Sequence, residues 1–323
     1  MTKEHVGQSD LVRFADERVN LPREYASTYR DQVRRLRERL DTYLADHPNF
    51  DLVKMLLSGS LAKGTALRTL NDIDVAMYVK GERAPSPSSL QELLNYLAER
   101  LRKAFPNISS DQVQPQTYSV TISFKGTGLD VDVVPILYFG DPQWRGLLIS
   151  QDDGSPLMTS IPMHLDFIRK RKAKQEQHFA QVIRLVKFWA KLQKDQNTGF
   201  RFKSFMIELI MAHLLDQGLD CSRYHDALAG FFNYIVKTGL KDRISFQDYY
   251  PSGAIKLPPK PLQIIDPVNP ENNVAALYAA DNVNLIRDTA EDAADAIDYA
   301  TYATTKAETV AQWRRVFGPA FGA

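Results

Sequence analysis

Between Ser58 and Val75 the chain reads SGSLAKGTALRTLNDIDV, and LDVDVVP follows from Leu129 to Pro135. Side chains alternate across a pleated strand, so Asp72 and Asp74 of NDIDV leave on one face while Ile73 and Val75 enter a core. Magnesium is a hard cation that favours oxygen ligands and is commonly held by one or two carboxylates together with substrate phosphates. A third carboxylate from a neighbouring strand would complete a two-metal clamp, with ions roughly 3.5–4 Å apart, suited to activating a hydroxyl and neutralising departing pyrophosphate. Asp132, flanked by Val131, Val133 and Val134, is the candidate, and Asp130, of the same parity, is the reserve. The chemistry implied is nucleotidyl transfer from a nucleoside triphosphate, with two Mg2+ ions held by Asp72, Asp74 and Asp132.

Upstream, the apolar run Val53 to Leu57 leads into Gly59-Ser60. Gly59 lets backbone approach a phosphate where a Cβ would clash. Ser60, Lys63 and Thr65 then offer a hydroxyl, a charge and a second hydroxyl to a triphosphate. The spacing is not that of a Walker P-loop, G-x-x-x-x-G-K-[ST]. A lone Gly-Ser is ordinarily a turn and a lone DxD a solvated edge. The functional reading rests on their combination: apolar strand, Gly-Ser, DID and the later DVDVVP.

Gly59-Ser60, Asp72-x-Asp74 and Asp132 resemble the pattern of the polymerase-β-like nucleotidyltransferase superfamily. HFAQVIRLVKFWAKLQ from His178 and FRFKSFMIELIMAHLL from Phe200 look like the helical lobe of cGAS/DncV-like enzymes and of oligoadenylate synthase. IIDPVNPENNVA, from Ile264 to Ala275, resembles the DPxNPxxN segment of that group. Over essentially its whole length the chain resembles the clade C bacterial CD-NTases (CdnC) of CBASS anti-phage systems. The resemblance implies a cyclic oligonucleotide synthase that makes a second messenger, cyclic tri-adenylate, from ATP. It further implies a HORMA-domain activator, an AAA-type ATPase that removes it, and a downstream effector nuclease. By the same resemblance, Lys187 of the VKFW helix reaches the triphosphate; from position alone it would be a snorkelling lysine. Ser204 and Phe205 match the family's Ser-Tyr pair, with phenylalanine here keeping the stacking face and losing the hydroxyl.

The elements that must position these groups read as follows. A helix is expected over Leu21 to Ala45, with Pro22 in its first turn. Val53 to Leu57 and Asp72 to Val79 are expected as neighbouring strands, linked through the Gly-Ser turn and a short helix at Thr65 to Arg68. PSPSS, Pro85 to Ser89, is a loop capping a helix from Leu90 to Phe105. Tyr118 to Phe124 and Leu129 to Leu137 form a hairpin around Lys125 to Gly128. From Pro162 the pattern is mostly helical, with Phe179 to Leu192, Lys203 to Asp216, Tyr224 to Val236 and Val283 to Tyr302. The fold class is α+β: a polymerase-β-like nucleotidyltransferase lobe over 1–160 and a helical, oligoadenylate-synthase-like lobe over 161–323, with substrate in a central cleft. In the IIDPVNPENN segment Asp266, Asn269, Asn272 and Asn273 are expected to build a turn, not a metal site.

The 323 residues, 44% apolar, suffice for two well-packed lobes, and the net charge of +1 is close to neutral. One cysteine excludes a disulfide framework within the chain. The six histidines lack HxH or HxxxH spacing, so zinc is not expected. No run is long enough for a membrane span and the N-terminal residues lack an export stretch, so the location expected is cytoplasmic. Basic residues cluster at Arg30, Arg34 and Arg37, on one helical face, and at Arg169, Lys170, Arg171 and Lys172. Either group could grip the phosphate backbone of duplex DNA, or form a solvated face paired with Asp31, Glu38 and Asp41. Two other functions use overlapping residues. One is a linear nucleotide-adding enzyme, poly(A)- or CCA-like or nucleotidylating a small molecule; the other is a nucleic-acid-binding sensor without turnover.

Overall fold

The structure is a computed structural model that describes residues 6–70, 72–82, 90–126, 128–149 and 154–322. The expected Pro85 to Ser89 loop lies outside these residues. Contacts divide the chain into two compact units, Leu21–Asp166 and a second made of the residues up to Asn20 with those from Phe167 onward.

The first unit opens with α2 (Arg23–Asp46), preceded by Pro22 at its cap. It continues through β1 (Leu52–Leu57), α3 (Gly59–Lys63), β2 (Asp72–Lys80) and α4 (Leu90–Ala104). Strands β3 (Val113–Pro115), β4 (Val120–Phe124), β5 (Leu129–Tyr138), β6 (Gly146–Ile149) and β7 (Pro156–Thr159) complete it. All seven strands form one sheet in the order β1-β2-β5-β4-β3, with β6 on β5 and β7 on β6. β2 and β5 are parallel, and the other pairs are antiparallel. The short helix falls on Gly59–Lys63 rather than at Thr65 to Arg68. Gly64, at φ 73°, ends it, and the Thr65 N–H donates back to Ser60 O at 2.9 Å.

One sheet face is apolar along its whole length. Ile73, Val75, Met77 and Val79 of β2 join Val131 and Val133 of β5 and Val120 and Ile122 of β4. They pack on Val33, Leu36 and Leu40 of α2 and on Leu94, Leu97, Ala98 and Leu101 of α4. Each such side chain contributes about 1.5–3 kcal/mol by leaving water. The other face is covered over only half its length. Ala76, Tyr78 and Ile136 are buried there beneath Tyr138, Trp144 and Ile161. The Tyr78 hydroxyl donates to Trp144 O at 3.0 Å and accepts from Ile161 N at 3.2 Å. At the start of β2 that cover ends, and alternate side chains reach solvent.

The second unit is helical: α1 (Gln8–Phe14), α5 (Ile161–Gln196, broken at Gln175 and Glu176), α6 (Ser204–Asp216), α7 (Tyr224–Thr238), α8 (Ala280–Tyr302) and α9 (Lys306–Phe317). The sequence reading kept the first residues with the catalytic lobe. Instead α1 buries Leu11 and Phe14 in this unit, with the Phe14 ring tilted against Phe317 and Phe321 at centroid distances of 5.2 Å and 4.9 Å. α6 is buried on every side from Met206 to Ala212. The turn expected around Asp266 is present: its carboxylate accepts from Val268 N at 2.8 Å and Asn272 Nδ2 at 3.1 Å. Asn269 accepts from Glu271 N, and Asn273 accepts from Ile264 N, both at 3.0 Å. Burial pushes the Cys221 thiol up to about 12, which leaves it unreactive at neutral pH. Among the described residues no helix is long and apolar enough to cross a membrane.

Candidate active site

Strand register builds the site. In the parallel β2–β5 ladder Asp72 lies opposite Asp130 and Asp74 opposite Asp132. In the antiparallel β4–β5 ladder Ser123 lies opposite Asp130 and Thr121 opposite Asp132, and Gln114 of β3 faces Thr121. Opposed residues share a face, so this half of the sheet presents a polar array backed by Ile73, Val75, Val131 and Val133. The array floors a hollow of about 600 Å3, lined by Asp72, Asp130, Asp132, Thr121, Ser123 and the segment Gln116 to Ser119.

Asp72 and Asp132 are close enough to repel each other electrostatically, and Thr121 Oγ1 donates to Asp132 Oδ1 at 2.5 Å. Asp72 stands at the rim with its carboxyl partly desolvated by the surrounding strands. That burial first, and then repulsion from Asp132 and more weakly from Asp130, raises its pKa above the ordinary carboxylate value. Asp132, half-buried and in this hydrogen-bonded pair, fits the site role better than the exposed Asp130. Asp74 leans the other way, against Gly59. A Cβ on Gly59 would fall within 2.7 Å of Asp74 Cβ and overlap its carboxylate, and Gly59 sits at φ 62°, where L side chains are strained. Glycine here makes room for an aspartate; the sequence reading had assigned it to close approach of phosphate. The backbone fixes the same meeting, since Ser58 N donates to Asp74 O at 2.9 Å.

The three carboxylates expected to converge therefore do so only in part: Asp72 meets Asp132, while Asp74 is turned toward α3. Among the described residues no group of three or more His, Cys, Asp or Glu side chains is gathered around one point that could hold a metal ion. The donor chemistry nevertheless fits Mg2+. Hard, anionic oxygens repel one another strongly enough to raise a pKa, and a divalent cation between them would relieve that repulsion.

Ser60 and Lys63 stand half-buried on α3, beside Asp74's strand. Thr65 does not join them. Its side chain is fully buried, because the left-handed turn at Gly64 carries it inward, so it has no hydroxyl to offer a nucleotide. Lys187 lies in the helical unit, buried and ion-paired with buried Glu208 at 2.6 Å, so contact with a triphosphate would require it to exchange this partner. Ser204 is exposed at the first position of α6, and Phe205 beside it is half-buried.

The basic groups also separate. Arg30 donates to Leu61 O of α3 at 3.5 Å, Arg34 pairs with Asp31 at 2.9 Å, and Arg37 is exposed. Arg171, expected on a basic face, is 4% exposed and held between Asp216 and Asp248, with its guanidinium 3.7 Å from the Phe167 ring centroid. It is a core ion pair and cannot touch DNA. Lys170 is exposed with its ammonium over the Tyr249 ring, Arg169 is exposed and Lys172 half-buried. Thr121 and Glu208 went unread in the sequence. Thr121 has the parity of a strand residue facing Asp132 in TYSVTISF, a signal visible once β4–β5 pairing is drawn. A Glu in the apolar run FMIELIM signalled a buried partner.

Residues 33–152 match the nucleotidyltransferase domain family. A cyclic AMP-AMP-AMP synthase of Escherichia coli (strain MS 115-1) is 60% identical over 321 residues, 99% of each chain. A CBASS oligonucleotide cyclase CdnC of E. coli (strain KTE188) is 34% identical over 96% of each. Among solved structures, E. coli MS115-1 CdnC with ATP superposes with a TM-score of 0.96 at 59% identity, covering 99% of this chain and 100% of that one. The CdnC:HORMA-deltaN complex from the same strain gives 0.95 at 58% identity over 100% of both.

Proposed function

The chain belongs to the CBASS oligonucleotide cyclases of the CdnC group, and from that premise we propose that it condenses ATP into cyclic tri-adenylate, a second messenger of anti-phage defence. The observation that carries the reading is the polar array: Asp72, Asp74 and Asp132 on adjoining strands at one end of a sheet whose other face is sealed. Near full-length identity of 60% to a cyclic AMP-AMP-AMP synthase supports a shared reaction.

Asp72, Asp74 and Asp132 would hold Mg2+, which supplies charge neutralisation for the triphosphate and a more acidic acceptor hydroxyl when bound. The residues then have the following tasks. Ser60 and Lys63 receive the donor phosphates next to Asp74; by family resemblance Lys187 and Ser204 are assigned phosphate contacts as well, and Phe205 a stacking face for a base. The 3′-hydroxyl of the acceptor attacks the α-phosphorus in line, a phosphodiester forms, and pyrophosphate leaves. Asp132, as a carboxylate, accepts the hydroxyl proton. Two such additions followed by attack of the terminal 3′-hydroxyl on the 5′ α-phosphorus close the ring.

A HORMA-domain activator belongs to the proposal, because the E. coli MS115-1 CdnC is seen in complex with HORMA-deltaN. Duplex DNA does not, since Arg171 is internal and Arg34 is paired. The cytoplasm, where ATP and magnesium are abundant, is the setting proposed.

The test is incubation with all four ribonucleoside triphosphates, Mg2+ and the HORMA partner, followed by phosphatase and mass spectrometry. A phosphatase-resistant product with the mass of cyclic tri-adenylate is expected, and Asp72→Ala with Asp74→Ala should remove it. Products whose terminal phosphates are digested would establish a linear-adding enzyme instead. Retained biological function in the double variant would establish a binder without turnover.

A further inference from the structure

We infer that Thr121 is a positioning residue for the reaction: its hydroxyl holds one oxygen of Asp132 and thereby presents the other to the metal and the acceptor hydroxyl. This rests on the reading of Asp132 given above.

The geometry is specific. Thr121 and Asp132 are directly opposed across the β4–β5 ladder, and Thr121 Oγ1 donates to Asp132 Oδ1 at 2.5 Å, a short, charge-assisted bond. Both side chains are half-buried in the hollow that also exposes Asp72, so the bond lies in the wall of the site rather than on open surface. Threonine suits the task better than serine. Its branched Cβ restricts χ1, so the strand backbone aims the hydroxyl without a rotamer search. The strand itself is fixed, since Val120 and Ile122 on either side are fully buried in the core.

The consequence for Asp132 is that one of its two oxygens is committed. The other oxygen is left for a metal ion or an acceptor hydroxyl in the hollow that Asp72 also lines. Partners that orient a metal-binding carboxylate in this way typically change metal affinity or activity by 10–100-fold when removed. Among the described residues no hydrogen bond joins Ser123, the corresponding residue opposite Asp130, to that aspartate. The array thus distinguishes two aspartates of equal parity, and it is the neighbour on β4 that does so.

The test uses the full-length protein with Mn2+ as probe and the non-reacting α,β-methylene analogue of ATP, with bound Mn2+ read by electron paramagnetic resonance. Thr121→Val keeps the shape and removes the hydroxyl; it should weaken Mn2+ binding by about 10–100-fold. Thr121→Ser should recover most of it. In an Asp132→Asn background, Thr121→Val should have little further effect, because the two act through one bond. Thermal melts identify any variant that does not fold, in which case Thr121→Ala takes the place of valine. Mn2+ affinity unchanged in Thr121→Val, or equally lost in Thr121→Ser, would overturn the inference while leaving the reading of Asp132 intact. Wild-type binding that is indifferent to Asp132→Ala would overturn both.

Discussion

At the scale of single residues, the site depends on how neighbours share space and charge. Gly59→Ala would push a methyl group into the Asp74 carboxylate from a backbone already at φ 62°. Displacing a reacting-centre group by even an ångström can cost on the order of 100-fold, so synthesis should fall by at least about that factor, with a fold cost of only about 1–2 kcal/mol. Product yield and a denaturation curve measure the two. Asp72 carries the opposite sign of effect. Its folded pKa is raised above the unfolded value, so its favourable contribution exists in acid and is lost as pH rises through the folded value. Asp72→Asn should therefore abolish synthesis yet raise Tm on the order of 1 °C at neutral pH in EDTA, with the gain vanishing in acid. The shared face of Asp72 and Asp74 was legible from strand parity. What could not be read were contacts that depend on a partner from elsewhere: Glu208 against Lys187, the Asp74 carboxylate against Gly59, and the inward turn of Thr65. Composition around Lys187 and Thr65 is compatible with either exposure or burial, and only the packed neighbours decide.

At the scale of elements, the long amphipathic segments were legible and the short ones were not. α2, α4, α7 and α8 follow their apolar periodicity, α6 follows a continuous apolar run, and β1, β2, β4 and β5 fall within a residue or two of the expected runs. β3, β6 and β7, of three or four residues each, are too brief to show a period, and their pairing, β3 on β4, β6 on β5 and β7 on β6, depends on strands distant in pattern. The pairing of β2 with β5 in parallel was likewise beyond local pattern, although it is what brings the aspartates side by side. The basic run RKRKAK misled for a related reason: a charge run ordinarily marks a solvated face, but one turn of α5 buries Arg171 between Asp216 of α6 and Asp248. Removing one member of a buried ion pair leaves the others unbalanced. Arg171→Ala should destabilise the protein by about 3 kcal/mol, whereas exposed Arg169→Ala should change stability by no more than about 0.5 kcal/mol. Chemical denaturation distinguishes a core role from a surface one, and equal small effects would contradict the burial described.

At the scale of the whole chain, sequence patterning indicated an α+β catalytic unit joined to a helical one, and family membership accounts for the ATP chemistry. Missing from that reading was the grouping of residues up to Asn20 with the helical unit, which depends on aromatic packing of Phe14 against Phe317 and Phe321, far along the sequence. Ligand linkage gives a global readout of the proposed site. With ATP analogue and Mg2+ together at about 100 times the apparent Kd, stabilisation of about 2.7 kcal/mol should raise Tm on the order of 5 °C, and chelation of the metal should remove most of it. Asp72→Ala with Asp74→Ala should show no such rise. The parallel ladder between β2 and β5 has one further consequence, for biosynthesis. A helix and two strands separate its partners, so a ribosome must release β5 before the aspartates can meet, and such distant pairing is slow to nucleate. On the proposed role of Asp132, a nascent or truncated polypeptide ending before Leu129 lacks one acid of the site and makes no messenger, so an alarm-producing enzyme built this way cannot sound while half made.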